Sequence, residues 1–132
     1  MMATATFLRR FRSDTQGGAA IELGLALPVF GMLLFGAIDA SQLIGAISGM
    51  HYAVEEAARC SAVNGTLCGS AGATNTFAQG RYQGPNITPA FTTISSTCGK
   101  QVIATATFHL NIAVAILDVP LSAQACYPAS GA

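Results

Sequence analysis

Residues 17–38 read GGAAIELGLALPVFGMLLFGAI. From Leu23 to Ile38 no side chain is charged, and residues 17–21 before them carry no charge either. A helix of about 20 apolar residues, rising ~1.5 Å per residue, covers the hydrocarbon core of a bilayer. One carboxylate, Glu22, interrupts the run near its N-terminal end. A charge inside an apolar span is costly, and it marks either a function or a side chain snorkelling to the interface.

The flanks set the orientation. Arg9, Arg10 and Arg12 precede the run, whereas the long remainder holds only Arg59, Arg81 and Lys100. Basic residues beside one end of a span keep that end cytoplasmic, which predicts an inside N-terminus and an outside bulk. A cleaved secretory signal is a competing reading, but Ala37-Ile38-Asp39-Ala40-Ser41 makes a poor small-x-small cleavage site. A third reading cuts the chain before the apolar run, after Gly17. Gly18 then becomes the new N-terminus and Glu22 lies four residues beyond it.

With 132 residues there is room for one span and one small outer domain. The expected division is a basic leader over 1–17, a long helix over 18–62 with its membrane span at about 18–40, and an outer domain over 63–132. The fold class is α+β: a long N-terminal helix, first transmembrane and then amphipathic, packed on a small antiparallel β domain. Beyond Ile38, Leu43, Ile47, Met50, Val54, Ala57 and Ser61 recur at helical spacing and form a seam. A second stripe, Ala37, Ser41, Gly45, Gly49, Ala53 and Ala57, places a small residue at every fourth position. Such a stripe lets another helix approach closely. Glu55 and Arg59 stand i,i+4 in the favourable order.

Residues 64–83 are rich in Gly, Ser, Thr and Asn, with a turn signal at Asn64-Gly65, and read as an exposed loop. Thr88-Pro89 reads as a helix start, with Phe91 and Ile94 sharing a face and Gly99 ending the helix. From Val102 the period becomes two. Val102, Ala104, Ala106, Phe108, Leu110, Ile112, Val114 and Ile116 share one parity, and Val119, Leu121, Ala123 and Ala125 share the other. A turn near Asn111 is expected. A register centred on Ile112 sets an apolar face beside a polar one, so a bulge or an intervening strand is expected too.

Four cysteines, Cys60, Cys68, Cys98 and Cys126, all follow the span. An even number on the outer side of a membrane predicts two disulfides. The pairing Cys60–Cys68 and Cys98–Cys126 joins neighbours across the Asn64-Gly65 turn and the two ends of the strand region. The spacings lack paired CxxC units, so no metal site is expected. No catalytic constellation or cofactor-binding motif is present: His51 and His109 read as surface residues, and there is no phosphate loop, HExxH or nucleophile elbow. The chain is therefore not expected to be an enzyme. Charged residues are 9 % of the chain and formal net charge is zero, which argues against a nucleic-acid partner.

A basic leader ending in Gly, four small or apolar residues and then Glu before an apolar helix resembles the class III signal of type IV-like pilins. Gly17-Gly18-Ala19-Ala20-Ile21-Glu22-Leu23 with Pro28, then Gly36-Ala37-Ile38-Asp39 and residues 53–59, resemble the TadE-like family of tight-adherence (Tad/Flp) pilus pseudopilins. Leu23 stands where processed members often carry an aromatic residue, and Asp39 where Glu is common. The resemblance implies a minor pilin or pseudopilin of the bacterial inner membrane, with its C-terminal domain periplasmic or carried into an extracellular filament. It further implies cleavage between Gly17 and Gly18 by a prepilin peptidase. Its partners would be the membrane, other pilins and the pilus assembly platform, with Glu22 serving assembly and adherence as the outcome. The alternative is an uncleaved single-pass anchor displaying a small binding domain.

Overall fold

The structure, a computed structural model, describes residues 17–112 and 115–128. The basic leader through residue 16 lies outside the described residues, as does Val114. The elements are α1 (Gly18–Val63), α2 (Ala71–Arg81), β1 (Ala90–Ser96), β2 (Gly99–Ile112) and β3 (Ala115–Tyr127). Two compact units divide the chain, residues 1–37 and residues 38–132.

In the first unit α1 is apolar except for Glu22 and carries Pro28 in its interior. Proline has no N–H to donate to the Gly24 carbonyl four residues back, so one helical hydrogen bond is missing there. In the second unit the same helix buries Ala46, Gly49, Met50, Ala53, Val54, Ala57, Ala58 and Cys60. That face overlaps the expected seam at Met50, Val54 and Ala57. It is rotated away from Ile47, which is exposed, because the small residues on the other flank allow closer approach.

α1 ends where Asn64 and Gly65 turn the chain. The Asn64 side chain accepts a bond from the Leu67 N–H (3.1 Å), and the Cys68 N–H donates to the Asn64 carbonyl (2.9 Å). The long loop expected over residues 64–83 is corrected, since residues 71–81 form α2. Ser70 caps it: the backbone there is extended and the hydroxyl accepts from the Ala73 N–H at 3.2 Å. Thr74 is fully buried, its hydroxyl within reach of the Ser70 and Cys68 carbonyls at 3.0 and 3.2 Å. Arg81 in the last turn suits the negative helix end and lies over the Phe77 ring, 4.9 Å from its centroid. Gly, Thr and Asn content hid this helix. Its signal lay in the cap and in Thr74, Phe77, Ala78 and Arg81 at helical spacing.

The expected short helix after Thr88-Pro89 is also corrected. Residues 90–96 are β1, so Phe91 and Ile94 point to opposite faces, Phe91 buried and Ile94 exposed. Thr92, Thr93 and Ile94 are β-branched and lose side-chain freedom in a helix, while β2 offers a partner. The two strands pair antiparallel from Ala90↔Thr105 to Ser96↔Gly99. Thr97 and Cys98 make the turn with negative φ, and Gly99, at φ 122°, takes the left-handed conformation that closes it.

Sheet order is β1-β2-β3. β2 and β3 pair from Lys100↔Tyr127 to Ile112↔Ala115, which sets even-numbered residues of β2 opposite odd-numbered residues of β3. Val102 thus meets Ala125, Ala104 meets Ala123, Ala106 meets Leu121 and Phe108 meets Val119. The parity switch is what this register needs, and neither a bulge nor an intervening strand occurs. The turn expected near Asn111 is corrected, since Asn111 and Ile112 are paired strand residues. Ile116 falls opposite Asn111 on the outer face and not on the core face.

One face of the sheet packs on α1 and α2. Ala46, Met50, Ala53, Val54, Ala57 and Ala58 of α1 join Ala78, Phe91, Val102, Ala104, Phe108, Leu121 and Ala123 in one core. Met50, Val54 and Val102 are its largest fully buried apolar side chains. Each contributes about 2 kcal/mol by leaving water. Thr93 donates to the Asn75 side-chain oxygen at 2.7 Å, tying β1 to α2.

Candidate functional site

The candidate site is the N-terminal half of α1. Ile21, Leu23, Leu25, Leu27, Val29, Phe30, Met32, Leu33, Leu34, Phe35 and Ile38 are all at least half exposed. The helix is long and apolar enough to cross a membrane, and no residue of its most apolar 18-residue window is buried. Water does not tolerate so large a continuous apolar surface on a folded chain. Residues 18–38 at ~1.5 Å each give about 30 Å of helix, the thickness of a hydrocarbon core. The segment is a candidate membrane span.

Gly17 and Gly18 stand at the start of this helix. Glu22 lies four residues past Gly18, so its carboxylate and the Gly18 nitrogen share a helical face. Among the described residues Glu22 has no ion-pair partner. Glu22 is the sole charge between residues 18 and 38, an exposed carboxylate on an apolar rod.

The small-residue stripe divides. Ala37 and Ser41 are exposed, and the Ser41 hydroxyl donates back to the Ile38 carbonyl at 2.7 Å. Gly45, Gly49 and Ala53 belong to the second unit and turn inward. The partner at the two glycines is the loop over residues 82–85 and not a second helix. A Cβ on Gly49 would lie 2.9 Å from the Gln83 carbonyl oxygen, and one on Gly45 would lie 3.8 Å from Pro85 Cδ. The small residues therefore admit backbone, as the spacing implied, but backbone of the chain's own loop. Tyr82 closes this loop, its hydroxyl donating to the Pro85 carbonyl at 3.0 Å.

Two disulfides are present. Cys60–Cys68 joins the end of α1 to the turn before α2, and Cys98–Cys126 joins the β1–β2 turn to the end of β3. Cys60 and Cys68 are buried, whereas Cys98 is exposed with the Ser96 hydroxyl 2.8 Å from its sulfur. His51 is exposed on α1. His109 Nδ1 lies 2.6 Å from Asp118 Oδ1 across the outer face of the hairpin. Among the described residues no three His, Cys, Asp or Glu side chains gather as metal ligands would. Sequence reasoning missed the contact loop at residues 82–85 and the exposure of Ile116 and Leu117. Only the run of uncharged residues from Leu110 to Leu117 hinted at the second.

Residues 17–59 match the family model described as TadE-like protein. Nothing matches the chain significantly among curated proteins or among solved structures. The matched stretch opens at the glycine before α1, takes in Glu22 and the whole exposed apolar segment, and stops at the last turns of the helix. The chain's similarity to the TadE-like family therefore lies in this helix, over about a third of the chain's length.

Proposed function

We propose that the protein is a pseudopilin of a Tad pilus, anchored in the inner membrane by residues 18–40 and cleaved between Gly17 and Gly18 by a prepilin peptidase. The second unit stands on the periplasmic side and is carried outward if the subunit enters the filament. The observation that carries this reading is the contrast within the one family-matched helix: its N-terminal half is unburied, while its C-terminal half is packed.

Cleavage would create an α-amino group, with a pKa of about 8, at the head of the apolar helix. That cation and the Glu22 carboxylate are each costly at bilayer depth when unpaired. Glu22 of one subunit meeting the Gly18 amine of its neighbour relieves both, and only in the correct axial register. The pair acts as a specificity device for assembly more than as a source of net stability. Other pilins and the assembly platform are the partners, and adherence is the outcome of a completed filament.

The test has two parts. Intact-mass analysis of native protein should show loss of residues 1–17. A species retaining them in cells with active peptidase supports the uncleaved anchor instead. Glu22→Gln and Glu22→Ala should both insert and be cleaved, yet enter the pilus or its assembly complex far less than wild type. Assembly at the wild-type level in both variants overturns the pairing mechanism.

A further inference from the structure

The β2–β3 hairpin outgrows the sheet. β1 covers β2 only between Gly99 and Thr105, whereas β2 and β3 stay paired to Ile112 and Ala115. Residues 106–112 and 115–121 therefore form a two-stranded arm.

Contacts inside the second unit give its direction. Ser61 and Cys68 line one cleft with Lys100, and Glu55, Glu56 and Arg59 line another with Ala125, Cys126 and Tyr127. Gly45 and Gly49 face the loop over residues 82–85, which leads into β1 at Ala90, the partner of Thr105. Moving along β2 from Lys100 to Thr105 thus retraces α1 from Ser61 toward Gly45. The arm continues in that sense for on the order of 20 Å, at ~3.3 Å per residue. It runs toward the Ile38 end of the unit, where the sequence becomes uncharged.

The described flanks of its turn are apolar. No residue between His109 and Asp118 is charged. Ile116 is 69 % exposed and Leu117 52 %. As consecutive strand residues they occupy opposite faces. A protein partner laid on one face leaves the other in water, whereas acyl chains cover both. Behind them the exposed, hydrogen-bonded His109 and Asp118 form a polar collar.

We propose that the arm is an interfacial lipid anchor, in which the exposed residues 115–117 enter the membrane surface while Leu110 stays packed against the core. The anchor rests on the reading of residues 18–40 as a span. Unpaired backbone groups on the outer edges of a two-stranded arm are costly in hydrocarbon. Insertion therefore stops at the headgroup–acyl boundary, about 5–10 Å deep, with His109 and Asp118 among the headgroups. A second attachment holds the periplasmic unit against the bilayer before assembly.

The chain contains no tryptophan. Single-tryptophan variants of the full-length protein, reconstituted in phosphatidylcholine–phosphatidylglycerol vesicles with acyl chains brominated at shallow or deep positions, read depth directly. Ile116→Trp and Leu117→Trp should be quenched strongly by shallow bromine and weakly by deep bromine. Phe30→Trp should be quenched most by deep bromine, and Gln124→Trp by neither, with circular dichroism unchanged throughout. Quenching at Phe30→Trp without quenching at 116 and 117 overturns the anchor alone. No quenching at Phe30→Trp overturns the span and the anchor with it. A blue shift at 116 and 117 that bromine does not quench, and that fades as protein is diluted in lipid, means a second copy covers the tip, and overturns the anchor.

Discussion

Gly45 and Gly49 are one helical turn apart and face the same loop, yet a methyl group added to each meets different surroundings. At Gly49 it presses on the Gln83 carbonyl at 2.9 Å and on the Tyr82 ring at 3.2 Å, whereas at Gly45 the nearest atom is 3.8 Å away. Replacing a mid-helix glycine by alanine gains up to about 1 kcal/mol of helix propensity. Gly45→Ala should keep that gain, and Gly49→Ala should lose a net ~1–3 kcal/mol to crowding against backbone that has no rotamer to yield. Denaturant unfolding of the two variants, followed by circular dichroism, should show opposite signs. Tyr82 supplies a second test. Burial raises its pKa above the ordinary 10.0, because the phenolate would lose hydration that the neutral phenol does not need. Its contribution to stability is fully present below pH 10 and is lost as pH rises through the raised folded value. Tyr82→Phe should flatten this alkaline loss, while costing about 1 kcal/mol at neutral pH for the bond to the Pro85 carbonyl.

Among elements, the two disulfides differ in reach and in access. Cys98–Cys126 spans 28 residues and Cys60–Cys68 spans 8. Chain-entropy arguments give about 3–4 kcal/mol for the longer ring and roughly 1 kcal/mol less for the shorter. Paired Cys→Ser replacements should rank in that order, as read by thermal unfolding. Reduction should proceed in the order set by access: mild reductant, trapped by alkylation and mapped by mass spectrometry, should open Cys98–Cys126 first because the sulfurs of Cys60 and Cys68 are buried. α2 depends on its cap, so Ser70→Ala should cost about 1 kcal/mol by leaving the Ala73 N–H without its acceptor. Strand β1 owes its state to its neighbour, since a two-residue turn at Thr97 and Cys98 lays it on β2 for its whole length.

For the whole molecule, the core is confined to the second unit. Every residue of its buried cluster lies between Ala46 and Ala123, and none comes from residues 17–37. A chain beginning at Asp39 should therefore fold, with α1 shortened, both disulfides formed and the sheet intact. Circular dichroism and non-reducing peptide mapping check this, and sedimentation should show that it no longer needs detergent. Failure to fold without residues 1–38 would mean that the apolar half of α1 also supports the outer unit.

The anchor was legible in residues 17–38 because a span is a local property, set by length, uniform apolarity and the absence of charge, and the TadE-like pattern is written along the same helix. The α+β class and the cysteine pairing also followed from local signals: a helical seam, a change of period at Val102 and an even set of cysteines. Residues 71–81 and 90–96 were misread because their polar, β-branched composition carries little periodicity. Whether such a segment becomes helix or strand is decided by a cap such as Ser70 and a neighbour such as β2. The hairpin register was likewise a tertiary decision. The parity change between Ile112 and Val119 is visible in the sequence, but only the packed sheet showed that it aligns Val102, Ala104, Ala106 and Phe108 with apolar partners over one core. The role of Gly49 and the exposure of Ile116 and Leu117 depended on which surfaces the fold covers and which it leaves open. Those are properties of contacts distant in sequence, which local spacing does not encode.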